Sequence, residues 1–246
     1  MPGRFSVPSK LFAADPEIEG VYEAIGSYVE DEAAAKRWEA AGRPFKKLAT
    51  VTEQIPSEQL FASLVKGGVG DFSTNGLIVK RTVFDKTGYY DERLRLHQDT
   101  AMNIKMAAVA KLAPGRLDEP VALFRVHMDN RISAPRPQSE VYKRKMMCWE
   151  TLWRWSKENL DKDGQQILLD LLLRRAMFTP RFNRTFPQWT RGLQKRIQLI
   201  LLMLEHPAMV REASFWKYFF PSPRYWVGYL QNRITLRIQP SPGTER

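Results

Sequence analysis

The segment from Ser73 to Ser133 constrains the fold most, because it changes between strand and helix patterning several times within one short span. An apolar run carrying a glycine, Gly76-Leu77-Ile78-Val79, reads as a buried strand. A second apolar step, Thr82-Val83-Phe84, leads to a turn at Lys86-Thr87-Gly88, and a compact acidic loop, Tyr90-Asp91-Glu92, follows. Gln98-Asp99 then stands at the mouth of a helix whose apolar positions Met102, Met106, Val109 and Ala110 recur at helical spacing. A strand from Pro120 to Phe124 runs into Arg125-Val126-His127. The pattern puts a carboxylate at a helix entrance and an imidazole at a strand end.

The chain upstream extends the same alternation. Phe5 to Ala14 predicts a short helix stopped by Asp15-Pro16, and Gly20 to Gly26 predicts a strand. Glu30 to Ala41 is charged and alanine-rich, which predicts a solvated helix closed by Gly42; Lys47 to Thr52 predicts another strand. Pro56-Ser57-Glu58 opens a helix that stops at Gly67-Gly68, the usual asymmetry of proline at the start and glycine past the end. Alternating strands and helices imply an α/β or α+β layer built on one sheet. Neither G-x-G-x-x-G nor G-x-x-x-x-G-K-[ST] occurs, so the glycine-rich phosphate loops of dinucleotide and P-loop sites are excluded.

Charge divides the chain in two. Residues 1–135 hold 18 Lys+Arg against 18 Asp+Glu, whereas residues 136–246 hold 20 against 9 and carry the whole net charge of +11. Six of the seven tryptophans lie in that second part. The change falls at Ala134-Pro135-Arg136-Pro137, a candidate linker, which predicts a first domain over 1–135 and a basic, aromatic-rich helical extension over 136–246. In the extension, Glu140 to Asn159 places Tyr142, Met146, Trp149 and Trp153 on one stripe, Gln165 to Phe178 is leucine-rich, and Trp189 to Leu204 forms a third helix. A fourth apolar segment, Phe215 to Phe220, precedes Arg224-Tyr225-Trp226 and a proline-rich polar tail, Gln239 to Arg246. Three readings compete: helices packed on the sheet with a solvated basic face, a membrane-surface or lipid-linked-acceptor site, and single-stranded nucleic-acid binding. Nucleic acid is the least favoured, because the aromatics fall on apolar helix stripes that packing explains without bases.

One cysteine excludes a disulfide framework and suits a reducing compartment. The N-terminus lacks the apolar core of a signal peptide, and no run approaches the roughly 18 apolar residues of a membrane span. The expectation is a cytoplasmic protein, peripheral to the inner face of a membrane.

The opening segment resembles the C-terminal half of the catalytic domain of family 2 glycosyltransferases, which have the GT-A fold. The residues that carry the resemblance are Asn75-Gly76-Leu77-Ile78-Val79, then Val83-Phe84-Asp85-Lys86-Thr87-Gly88-Tyr89-Tyr90-Asp91-Glu92, then Gln98-Asp99, and Arg125-Val126-His127-Met128-Asp129-Asn130-Arg131-Ile132-Ser133. Their order and spacing cover roughly residues 1–135. The resemblance implies an α/β, partial GT-A-like sheet with flanking helices, followed by the helical region. It implies transfer of a sugar from a nucleotide-sugar to an acceptor hydroxyl with inversion, in cell-surface polysaccharide or glycoconjugate synthesis, with Asp99 as general base. Gly76 and Asn75, with Asp91, Glu92 and Gln98, resemble the loop residues near the donor and acceptor sugars; family members often carry Glu-Asp where Gln98-Asp99 stands. His127 resembles the histidine that helps hold the divalent cation, Mg²⁺ or Mn²⁺, on the donor diphosphate.

The family's Asp-x-Asp cation ligands have no counterpart in the first region. Met1-Pro2-Gly3-Arg4-Phe5 resembles the segment that follows that motif, so the expectation is a truncated domain, with a partner chain as one source of the missing half. Asp161-Lys162-Asp163 is the one Asp-x-Asp string, and it lies at a polar helix–helix junction. The alternative to an enzyme is a non-catalytic remnant or a peripheral-membrane interaction module.

Simpler roles stand beside these. Asp99 also suits a helix cap, His127 a satisfied strand-end imidazole, and Asp91-Glu92 a loop-ordering pair. His97 reads as a loop residue, His206 before Pro207 as a helix-end residue, and Cys148 as a buried structural thiol.

Overall fold

A computed structural model describes residues 1–40, 48–129, 137–177 and 191–220. The chain divides into two compact units, Met1–Leu172 and Leu173–Arg246. The sequence boundary at 135 is one of composition; residues 130–136 lie outside the described residues, and the helix after them belongs to the first unit.

The first unit is mixed α/β with small sheets. Helix α1 (Ser6–Ala14) leads to β1 (Gly20–Tyr22) and β2 (Ile25–Val29), followed by α2 (Glu32–Ala40) and α3 (Ser57–Lys66). A 3₁₀ turn (Thr74–Gly76) opens β3 (Leu77–Val79), then come α4 (Val83–Thr87), α5 (Gln98–Val109), β4 (Leu112–Pro114) and β5 (Ala122–Val126). From Gln138 onward every described element is helical: α6 (Gln138–Asn159), α7 (Lys162–Met177), α8 (Arg191–Glu205), a 3₁₀ turn (Pro207–Arg211) and α9 (Ala213–Phe219).

β1 is the middle strand of a three-stranded sheet, antiparallel to β3 and parallel to β4. β2 pairs in parallel with β5. The strand expected over Gly20–Gly26 is therefore two strands, broken at Glu23-Ala24. The break has a hydrogen-bonding cause: Glu23 N–H donates to Gly76 O (2.8 Å) and Ala24 N–H to Arg116 O (2.7 Å), so the chain exchanges strand partners there for loop carbonyls. The apolar step Thr82-Val83-Phe84 caps and enters the short helix α4, which ends at the expected turn, with Gly88 at φ +69°. The strand expected over 47–52 is reduced, in its described part, to single bridges at Ala49 and Val51. α3 ends where expected, because Gly67 adopts φ +80° and carries the chain out of the helix.

Two apolar clusters hold the first unit. One joins Tyr22, Val51, Leu60, Phe72, Val83, Met102 and Met106, sealing α3 and α5 onto the sheet. The other joins Val65, Leu94, Ala101, Ile104, Cys148, Leu152 and Leu168, so α6 packs against α5. A smaller group, Ala34, Trp38 and Val126, turns α2 inward on β5. The tryptophan thus explains why a helix that reads as solvated has one buried side. In the second unit Leu199, Met209 and Phe215 are fully buried, and Phe215 stacks on Phe219 (centroids 5.8 Å apart). No helix among the described residues is long and apolar enough to cross a membrane.

The Asp99 cavity as candidate functional site

Asp99 is the second residue of α5, and the residues before it fix its position. His97 takes a left-handed conformation (φ 65°), the one non-glycine residue with positive φ among those described. Its carbonyl accepts Ala101 N–H at 2.9 Å and the Cys148 thiol at 3.6 Å. A left-handed non-glycine residue costs on the order of 1 kcal/mol or more, and the surrounding contacts hold it. The Asp99 Oδ1 accepts its neighbour's amide, Thr100 N–H, at 2.8 Å, while the side chain remains exposed. Burial raises the pKa of the Tyr90 phenol above its ordinary value, with the negative charge of Asp99 a second cause. Burial likewise pushes the Cys148 thiol up to about 12, again with Asp99 adding to it. Cys148 is thus a protonated, structural thiol and not a nucleophile.

Asp99 borders a cavity of about 590 Å³. That is within the range of roughly 300–1,000 Å³ typical of small-molecule sites. Its polar wall combines Asp99 with Thr100 and Asn103 from α5 and Asp71 and Ser73 from the loop before β3. Its apolar wall combines the rings of Trp38, Phe72, Phe124 and Trp149 with the aliphatic Ile25, Ala49, Leu64 and Ile104. Trp38 and Phe124 meet at 5.5 Å between ring centroids. Asn103 is held by donating Nδ2–H to Phe72 O at 2.8 Å, which leaves Oδ1 buried without a hydrogen-bond partner in the protein. A buried acceptor in that condition is costly unless something donates to it.

Of the residues singled out in the sequence, Asp99 alone lines this cavity. Gly76 is buried behind it, and a Cβ there would stand 2.3 Å from Glu23 O. Its smallness therefore serves the close approach of the 3₁₀ turn to the β1–β2 junction. Asn75 is exposed and donates its backbone N–H to Ser73 Oγ at 3.2 Å. Asp91 orders its loop: it accepts Arg93 N–H (3.0 Å) and Arg93 Nε–H (2.9 Å). The Arg93 hydrogen bond is the foremost cause holding Asp91 below the usual carboxylate range. Glu92 and Gln98 are exposed, the first in that loop and the second opening α5. His127 lies just past β5, and its Nδ1 accepts Asp129 N–H at 3.3 Å. Asn130 to Ser133, the rest of that motif, fall outside the described residues, as do Trp189 and Trp226.

Sequence reasoning missed Asp71, Asn103, Trp38 and Trp149 as cavity residues. A signal existed only for Asn103, which follows Asp99 by four positions and so shares its helix face. The other three arrive through tertiary packing.

Among the described residues no three His, Cys, Asp or Glu ligand atoms converge at the cavity. Asp161-Lys162-Asp163 starts α7, where Asp161 Oδ1 accepts Gly164 N–H at 2.8 Å as a helix cap. No family model matches the chain, and neither a curated protein nor a solved structure matches it significantly.

Proposed function

We propose that the Asp99 cavity is the acceptor side of a glycosyl-transfer site. A saccharide hydroxyl bound there gives its proton to Asp99 while its oxygen attacks the anomeric carbon of a nucleotide-sugar. The bond from that carbon to the diphosphate oxygen breaks, its electrons leave with the nucleoside diphosphate, and the configuration inverts. The observation that carries this reading is an exposed carboxylate at a helix entrance facing a cavity with aromatic walls. Flat rings cover the apolar faces of a sugar, while Asp71, Ser73, Thr100 and the unpartnered Asn103 Oδ1 offer polar partners to its hydroxyls. The family resemblance around Asn75–Val79 and Gln98-Asp99 supports the same reading. The cation ligands that the family uses are not assembled here, so no step is assigned to a metal.

The test is transfer of a radiolabelled sugar from a panel of nucleotide-sugars to saccharide acceptors, by the full chain and by Asp99→Asn. The asparagine keeps the size and the acceptor for Thr100 N–H but removes the base. A loss of roughly 10²–10⁴-fold in transfer is expected. Equal transfer by both proteins refutes the role of Asp99.

The same aromatic and polar lining favours a second reading, a saccharide-binding module without transfer. In that case the cavity binds sugars, no nucleotide-sugar is consumed, and Asp99→Asn changes affinity alone.

A further inference from the structure

The second compact unit carries a surface that the cavity does not use. Along α8, Leu193, Ile197, Ile200, Leu201 and Leu204 are all exposed, from 37% at Ile200 to 66% at Leu204. Their spacing of four, three, one and three residues places them in one stripe about 100° wide on a helix of 3.6 residues per turn. The opposite side of the same helix is buried through Leu199 and Leu202. α8 is therefore apolar on two faces, one buried within its unit and one exposed among the described residues. Trp216 on α9 and Phe220 just past its end are also exposed, at 39% and 60%, and their rings stack at 5.7 Å.

Charge identifies what covers the second face. Residues 173–246 hold 13 Lys+Arg against three Asp+Glu, a net +10, while residues 1–172 hold 25 against 24. Arg196 on α8, Arg211 in the following 3₁₀ turn and Lys217 on α9 belong to that excess, and the one acid on α8 is its last residue, Glu205. A second copy of this unit would bring +10 against +10. Nucleic acid would meet the cations and could stack on Trp216 and Phe220, but its bases leave the aliphatic stripe of Leu193, Ile197, Ile200, Leu201 and Leu204 uncovered. An anionic lipid surface satisfies both features, since head groups neutralise the cations while leucine, isoleucine and tryptophan enter the acyl boundary.

We propose that the second unit docks on anionic membrane surfaces with α8 lying in the interface and its Leu193–Leu204 stripe facing the acyl chains. α8 lies along the surface because no described helix is suited to crossing. This inference is independent of the chemistry assigned to the Asp99 cavity.

The experiment is co-sedimentation of the full chain with phosphatidylglycerol-rich vesicles and with pure phosphatidylcholine vesicles. Two variants accompany it, Leu201→Gln/Leu204→Gln and Arg211→Glu/Lys217→Glu, each checked by circular dichroism and thermal melting. All four side chains are exposed, so both variants keep the native melting curve. The wild type sediments with the anionic vesicles, less so as salt rises. The leucine variant binds roughly 10-fold or more weakly through lost apolar insertion, and the charge-reversed variant loses its preference for anionic lipid. No sedimentation with anionic vesicles overturns the proposal, and so does undiminished binding by the folded leucine variant. A concentration-dependent dimer in analytical ultracentrifugation that the leucine variant abolishes assigns the stripe to a second copy instead. Oligonucleotide binding that the leucine variant weakens assigns it to nucleic acid.

Discussion

Gly76→Ala isolates a close backbone approach in the first unit. The backbone here is not in the left-handed region, so alanine meets no conformational objection, and only space is at issue. The added Cβ would sit 2.3 Å from Glu23 O and 3.0 Å from Ile25 Cγ2. Reaching ordinary contact at about 3.4 Å requires the 3₁₀ turn to retreat by about 1 Å from the β1–β2 junction, which overpacking studies price at about 1–3 kcal/mol. That retreat also stretches the Glu23 N–H to Gly76 O hydrogen bond, now 2.8 Å, for about 1 kcal/mol more. The sum is about 3 kcal/mol, or roughly 6–12 °C in Tm for a chain of this size. A comparison is Gly67→Ala, where nothing lies within 4 Å of the new Cβ but φ is +80° and ψ 174°; its cost is purely the backbone penalty of about 1–3 kcal/mol. Thermal melting by circular dichroism compares the two. If Gly76→Ala melts with the wild type, the argument from close approach is refuted.

Two other perturbations probe groups around α5. Cys148 is buried and its thiol pKa is near 12 against an ordinary 9.0, so the native protein should react with a thiol reagent at pH 8 on the order of a thousand-fold more slowly than the unfolded chain. Comparable rates would contradict its placement. The same raised pKa gives a stability contribution that is full below pH 9 and declines as pH rises toward 12. Lys105 is 7% exposed, donates to Thr87 O at 3.3 Å and lies 5.5 Å from the Trp155 ring, and burial depresses its pKa. A depressed lysine pKa penalises the folded state while the ammonium is charged, a penalty relieved as pH rises through the folded value toward 10.5. Lys105→Met should therefore hold or raise stability at pH 7, by up to about 1 kcal/mol in urea denaturation. A loss larger than that would mean the buried ammonium is net stabilising.

Local signals were legible where they act locally. Asp15-Pro16, Pro56 and Gly67 punctuate α1 and α3, and the spacing of Met102, Met106 and Val109 marks α5, since caps and periodicity depend on near neighbours. The break at Glu23-Ala24 was not legible, because it depends on the carbonyls of Gly76 and Arg116, which are distant in sequence. β4 escaped notice for a related reason: Leu112-Ala113-Pro114 has no strand pattern of its own and exists through its register with Gly20–Tyr22. The site divides in the same way. Asp99 carries a helix-entrance signal, whereas Asp71, Trp38 and Trp149 become cavity residues only when α2, α5, α6 and the loop before β3 converge.

The central claim is that a saccharide occupies the Asp99 cavity. Its most direct measurement is a saccharide titration followed by the indole N–H resonances of Trp38 and Trp149, assigned through Trp38→Phe and Trp149→Phe. The account predicts that these two resonances shift on titration, and that Asp99→Asn weakens the response without altering the fold. It is contradicted if no saccharide moves either resonance, or if Asp99→Asn leaves the titration unchanged.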